Sequence, residues 1–292
     1  MKKCLFTGVA TALATPFNDE GINIPEFEKF INFQIESGID ALVVCGTTGE
    51  SSTMSKDEKI EAIKCAINTT KKRIPVIVGT GSNNTSSAIE MSKIAESLGA
   101  DGLLVVTPYY NKTTQKGLIE HFKAIATSVS IPIILYNVPS RTGMNILPET
   151  CFELSKIDNI VGIKEASGNI SQIAKIAHLC GDDFAIYSGN DDQILPILSL
   201  GGKGVISVLS NVAPKLARSI TNSFFKNAIA EACHYQLEAL PLIEALFAET
   251  NPIPVKEAIN LLGFNFGKPR LPLVECSPTL KNKLKQKIEN FK

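Results

Sequence analysis

Lys164 is placed where a lysine can do covalent chemistry. It directly follows the apolar run Ile160–Ile163 and opens the polar stretch Lys164-Glu165-Ala166-Ser167-Gly168. Lysine is rarely buried unless it is paired or functional. At a dry cavity floor, desolvation disfavours the ammonium form. The neutral amine can then add to a ketone and form an imine. The bland alternative is a lysine that snorkels to water or pairs with Glu165. Tyr136, Thr48 and Tyr110 also lie at or just beyond the ends of apolar runs. Their hydroxyls both donate and accept hydrogen bonds. A chain of such groups can carry protons during imine formation without a histidine. Arg141 offers a planar fork suited to a carboxylate, although a surface arginine is the commoner case.

Other motifs carry less. Gly79-Thr80-Gly81 lacks the third glycine of a dinucleotide fingerprint. Gly201-Gly202-Lys203-Gly204 precedes a strand, not a helix, so a tight turn is expected there and not a phosphate loop. Asp191-Asp192 is expected to cap the following helix instead of binding a metal. His121, His178 and His234 share no ligand spacing, so no metal site is expected.

The elements that must position these groups alternate along the chain. Apolar runs at Phe6–Leu13, Ala41–Cys45, Val76–Val78, Gly102–Val106, Ile131–Tyr136, Ile160–Ile163, Phe184–Tyr187 and Gly204–Val208 are rich in Val and Ile. Most do not alternate with polar residues, which is how strands buried on both faces read. Between them, Ile24–Ser37, Lys56–Thr69, Ser86–Leu98, Thr114–Ser128, Pro148–Ser155, Ile170–Cys180 and Gln193–Leu200 read as helices. Ser55 and Glu58 form a capping box, and Thr85 is a candidate cap for the third helix. Eight consecutive strand–helix units predict an α/β fold, a (β/α)8 TIM barrel, with a doubly wound open sheet as the alternative. Pro214–Asn222 would be the eighth barrel helix. Ala228–Ala248, Pro254–Leu262 and Pro278–Asn290 would form a C-terminal helical extension. The expected division is a catalytic barrel over 1–222 and the extension over 223–292, packed on it.

The bulk properties fit. The 292 residues suit one closed barrel, and 29 basic residues balance 29 acidic ones, so nucleic acid is not an expected partner. No apolar run approaches a membrane span. Seven scattered cysteines without a C-x-x-C pair read as reduced thiols of a cytoplasmic protein. Lys2, Lys3 and Ala12-Leu13-Ala14 mimic a signal peptide, but a first barrel strand is the better reading.

Gly46-Thr47-Thr48-Gly49-Glu50, Tyr136-Asn137-Val138-Pro139 and Gly162-Ile163-Lys164 together resemble the dihydrodipicolinate synthase family, within the wider N-acetylneuraminate lyase superfamily. The resemblance runs from Gly8 to about Leu262, and Tyr109-Tyr110 with Ser140-Arg141-Thr142 resemble the synthase branch. It implies a Schiff base between Lys164 and pyruvate, with Tyr136 relaying protons. It implies that Thr48 links Tyr136 to Tyr110, which reaches in from a neighbouring subunit. Thr47 would hold the pyruvate carboxylate, and Arg141 that of L-aspartate 4-semialdehyde. Gly189 and Ile206 would shape the pocket through backbone groups. The product would feed diaminopimelate and lysine synthesis. No cofactor or metal is implied, and a homotetramer built as a dimer of dimers is. In lysine-inhibited relatives, an effector cleft lies behind Ser51 and beside Tyr109, lined by two histidines and a glutamate. The matching positions here read Lys56, Lys59 and Ser87, with Asn83 and Tyr109 kept, so the resemblance implies a degenerate cleft. Competing expectations are another pyruvate lyase, acting on a sialic acid or a 2-keto-3-deoxy sugar acid, and a non-catalytic keto-acid sensor.

Overall fold

The computed structural model describes residue 2 and residues 4–289. Lys3, and Asn290 at the expected end of the last helix, lie outside them. Eight parallel strands close into a barrel: β1 (Gly8–Ala12), β2 (Ala41–Val44), β3 (Val76–Gly79), β4 (Gly102–Val106), β5 (Ile133–Asn137), β6 (Ile160–Glu165), β7 (Ala185–Ser188) and β8 (Gly204–Ser207). Each pairs with its sequence neighbours, and β1 pairs with β8 to close the ring. The open-sheet alternative is thereby excluded.

The uninterrupted apolar runs have a geometric cause. Successive side chains of a strand point to opposite faces, and here both faces are covered. Ala10, Val43, Ile77, Leu104, Ile134 and Ile206 fill the barrel interior. Val9, Leu42, Val44, Val78, Leu103 and Leu135 join the layer beneath the helices. Each such Val, Leu or Ile contributes about 1.5–3 kcal/mol on burial.

Besides a single turn at Pro139–Thr142, the helices are α1 (Ile24–Glu36), α2 (Lys56–Thr70), α3 (Thr85–Ser97), α4 (Gln115–Ala126), α5 (Pro148–Ser155), α6 (Ile170–Cys180), α7 (Ile194–Ser199) and α8 (Pro214–Phe225), followed by α9 (Ile229–Leu246), α10 (Ile253–Leu261) and α11 (Pro278–Ile288). The capping box opens α2 as expected: Glu58 N–H donates to Ser55 Oγ, and Ser55 N–H donates to Glu58 Oε2. The cap of α3 is different. Asn84 Oδ1 accepts from Ser86 and Ser87 N–H, and Thr85 is already helical. The short amide side chain reaches both orphan donors, which frees the Thr85 hydroxyl to meet His121 Nδ1 at 2.9 Å.

The N-terminal end of the barrel is plugged. The Tyr187 ring stacks on Phe6 with centroids 4.3 Å apart, and its hydroxyl donates to Phe6 O at 2.8 Å. At the same end, Asp40 accepts from Val9 N–H and Asp101 accepts from Val76 N–H, both at 2.9 Å. A two-stranded antiparallel ribbon, Phe17–Asn18 with Gly21–Ile22, follows β1.

Candidate active site

The opposite end of the barrel opens into a cavity of about 190 Å³. Pockets for drug-sized ligands run roughly 300–1,000 Å³, so this one suits a small metabolite. Its wall brings together Thr47 and Thr48 after β2, Tyr136 of β5, Arg141, Lys164 of β6 and Gly189 after β7.

Lys164 is buried, 6% exposed, and lies in register with Tyr136 on β5 and Tyr187 on β7. Its Nζ sits 4.4 Å from the centre of the Tyr136 ring. Glu165 is not its partner. Strand alternation turns that carboxylate the other way, where it accepts from the side-chain amides of Asn137 and Gln172 and from Ser167 N–H. Among the described residues no ion pair includes Lys164. This is a buried lysine facing a cavity with no carboxylate in ion-pair contact, although the buried Asp191 lies near enough for the two charges to interact. Gly189 keeps the space around it: a Cβ there would stand 2.6 Å from Ala166 Cβ and 3.1 Å from Lys164 Cε.

The loop Gly46–Ser51 is unusual in backbone. Cys45 and Glu50, both non-glycine, have φ of 56°, the left-handed region that L-residues rarely occupy. Thr48 is buried, and its Oγ1 accepts from Asn251 Nδ2 at 3.1 Å. Arg141 Nη2 donates to the backbone carbonyl of the same Asn251 at 3.1 Å.

Other expected residues lie elsewhere. Tyr110 is 92% exposed, with φ of 70°, and is outside the cavity of its own chain. No hydrogen bond joins it to Thr48 among the described residues. Ile206 is fully buried in the barrel interior and is not part of the cavity wall. Ser51, Lys56, Lys59, Asn83, Ser87 and Tyr109 are also outside that wall. Lys56 is paired with Glu90 of α3, a carboxylate one turn beyond Ser87, so it does not stand as an isolated cation.

Asp191 does not cap a helix. It is fully buried, and its Oδ2 accepts from Val208 and Leu209 N–H, both at 2.9 Å, tying the loop after β7 to the one after β8. Burial holds its carboxyl above the usual carboxylate range. Among the described residues no group of three or more His, Cys, Asp or Glu side chains is placed to hold a metal ion.

Among the wall residues that were not expected at the site, two come from beyond the barrel: Phe247, just past α9, and Asn251. Both follow all eight strands. The only signal for Asn251 was a polar break before Pro252 between two helical runs.

A family model described as the dihydrodipicolinate synthetase family matches residues 5–291. A relative from Clostridium acetobutylicum, 4-hydroxy-tetrahydrodipicolinate synthase 1, is 58% identical over 98% of both chains. The crystal structure of dihydrodipicolinate synthase from Thermotoga maritima superposes with a TM-score of 0.96 at 44% identity, covering 98% of this chain and 99% of that one. The enzyme from Cyanidioschyzon merolae with lysine bound gives 0.95 at 41% identity over 98% of each.

Proposed function

The chain belongs to the dihydrodipicolinate synthetase family, and from that premise we infer that it is a 4-hydroxy-tetrahydrodipicolinate synthase, joining pyruvate to L-aspartate 4-semialdehyde through an imine on Lys164. The observation that carries the imine is the buried lysine at the cavity wall beside Tyr136, in ion-pair contact with no carboxylate among the described residues.

The chemistry follows from the groups present. The Lys164 amine adds to the pyruvate ketone, and loss of water leaves an iminium. That cation withdraws electrons, so a methyl proton is released and an enamine forms. The enamine carbon attacks the aldehyde carbon, whose oxygen becomes the product hydroxyl. The amino group of the semialdehyde then bonds to the former ketone carbon as the bond to Lys164 breaks, which closes the ring and returns the amine. Tyr136 is the group placed to carry protons at the imine carbon. Thr47 receives the pyruvate carboxylate and Arg141 the semialdehyde carboxylate, a charge-assisted contact. The iminium is itself the electron sink, so the sequence of steps calls for no cofactor.

Tyr110 enters this scheme from a second subunit. Its exposure and its absence from its own cavity support a dimer at least. Mixing Tyr110→Phe subunits with Lys164→Met subunits is expected to restore about a quarter of wild-type activity, since half the dimers carry one intact site. No recovery after demonstrated exchange would count against sharing. The seven cysteines are all thiols, which supports a cytoplasmic setting. Among the described residues no helix is long and apolar enough to cross a membrane.

The direct test is borohydride reduction in the presence of pyruvate. A reduced pyruvyl adduct on the Lys164 peptide is expected, and product is expected with aspartate semialdehyde but not with N-acetylmannosamine or glyceraldehyde. Labelling on another lysine would overturn the assignment.

A further inference from the structure

A second buried lysine stands outside the cavity. Lys256 of α10 is 1% exposed and Glu50 is 2% exposed, and their Nζ and Oε1 are 2.7 Å apart. The other oxygen, Oε2, accepts from Arg270 N–H at 2.8 Å. Lys256 also donates to Lys268 O at 3.0 Å and lies 4.3 Å from the centre of the Phe17 ring. Glu50 is thus held on both oxygens by the segment that follows the barrel.

Burying two charges is a poor way to gain stability, because desolvation offsets most of their attraction. What such a pair supplies is direction. Glu50 belongs to the loop that carries Thr47 and Thr48, and its own backbone is left-handed. Its N–H donates to Thr47 O at 3.1 Å, and Gly49 O accepts from Thr15 Oγ1 at 2.8 Å. The same C-terminal segment touches the loop a second time, through Asn251 Nδ2 on Thr48 Oγ1.

We propose that Lys256 is a positioning residue, which through Glu50 locks the Gly46–Ser51 loop so that Thr47 and Thr48 meet pyruvate in a fixed geometry. This rests on the imine reading of Lys164, and it adds a determinant of pyruvate affinity that lies outside the cavity wall.

The lock has a protonation state. Burial pulls the Lys256 ammonium down from the ordinary 10.5 to about 8, against the opposing pull of Glu50. The charged groups packed around it are Glu50 from the loop and Arg270 from the C-terminal segment. The Arg270 guanidinium is in turn paired with Glu58 of α2 at 2.6 Å. Lys268 turns its ammonium away to Glu275. As pH rises through the lowered value, the folded protein releases the proton and the lock weakens. The unfolded chain keeps that proton up to the ordinary value, so between the two values this group favours folding more as pH rises. Titration of this group therefore does not itself favour unfolding in that window.

The experiment measures borohydride labelling of Lys164 against pyruvate concentration, from pH 6.5 to 9.5, in the full-length protein. In Lys256→Met, half-saturating pyruvate is expected to rise about 10- to 100-fold, the scale of a misplaced positioning group, with maximal labelling retained. Wild-type half-saturation is expected to climb through the alkaline window, and this climb should vanish in Lys256→Met. In Glu50→Gln the ammonium loses its counter-charge, so the climb should move to lower pH. If Lys256→Met fails to fold, Glu50→Gln decides alone, and a profile superimposable on wild type overturns the proposal. A folded Lys256→Met with unchanged half-saturation overturns it as well. Absence of Lys164 labelling in the wild type would instead overturn the imine reading.

Discussion

The two ends of the barrel are built from similar residues to opposite purposes. At the N-terminal end, polar groups are paired with backbone: Asp40 with Val9, Asp101 with Val76, and the Tyr187 hydroxyl with Phe6. At the C-terminal end, the buried atoms Thr107 Oγ1, Asp191 Oδ1 and Asn251 Oδ1 have no hydrogen-bond partner, and Cys45, Glu50 and Tyr110 sit in left-handed backbone. Unpaired buried polar atoms and strained φ values cost free energy. Such costs occur at the other end too, where Lys71 and Lys72 are left-handed and Thr70 Oγ1 and Arg218 Nε lack partners, but at the mouth one of these groups, Asn251, lines the cavity. A tyrosine makes the point twice: Tyr187 has its hydroxyl committed to a carbonyl, whereas Tyr136 faces the cavity.

If the division is real, substitutions at the mouth change rate and those at the sealed end change stability. The largest expected effect is Lys164→Met. Labelling with pyruvate should disappear and turnover should fall on the order of 10⁴- to 10⁶-fold, as when a covalent nucleophile is removed. Its melting temperature should stay level or rise, because an unpaired buried amine is costly to hold. A large drop in melting temperature would mean that the mouth also supports the fold.

Arg141→Ala comes next. Turnover at low semialdehyde should fall roughly 10- to 1,000-fold, while labelling by pyruvate stays near wild type. Equal loss of both would remove Arg141 from the aldehyde half of the site.

A smaller effect is expected from added lysine. Ser87 supplies no carboxylate, and Lys59 brings a like charge to a diammonium effector. Glu90 already neutralises Lys56, which softens the repulsion without restoring the missing contact. Inhibition should need more than about 1 mM lysine, an affinity of some 4 kcal/mol. Initial rates against lysine at low and saturating pyruvate test this, and strong sub-millimolar inhibition would show that other residues hold the effector.

The smallest effect is at the sealed end. Tyr187→Phe removes the hydroxyl bond to Phe6 O and a weaker contact with Cys4 Sγ, about 1 kcal/mol and about 2 °C in melting temperature, with unchanged turnover. A changed rate there would break the separation between the two ends.

Much of this was legible in the sequence. The strand runs were visible because both faces of each strand are buried, and the site was visible because polar residues follow apolar runs at the end where loops converge. Periodicity could not reveal the Phe17–Ile22 ribbon, whose strands have two residues each. It placed β5 two residues early, since Ile131 and Pro132 precede the first paired residue. Asp191 was misread because an acidic residue before a helix usually caps it. Here the loop bends it inward toward two backbone N–H groups of the neighbouring loop. Phe247 and Asn251 were missed because their proximity to Lys164 exists only in three dimensions.

The attachment of the loop after β2 to residues as late as Lys256 and Arg270 also bears on the growing chain. Lys164 is synthesised well before Phe247, Asn251, Lys256 and Arg270. On the ribosome, its amine is present while the walls and brace around it are not. The cavity around Lys164 is therefore complete only when the final third of the polypeptide has docked. A nascent or prematurely terminated barrel would carry Lys164 without the full wall of its cavity.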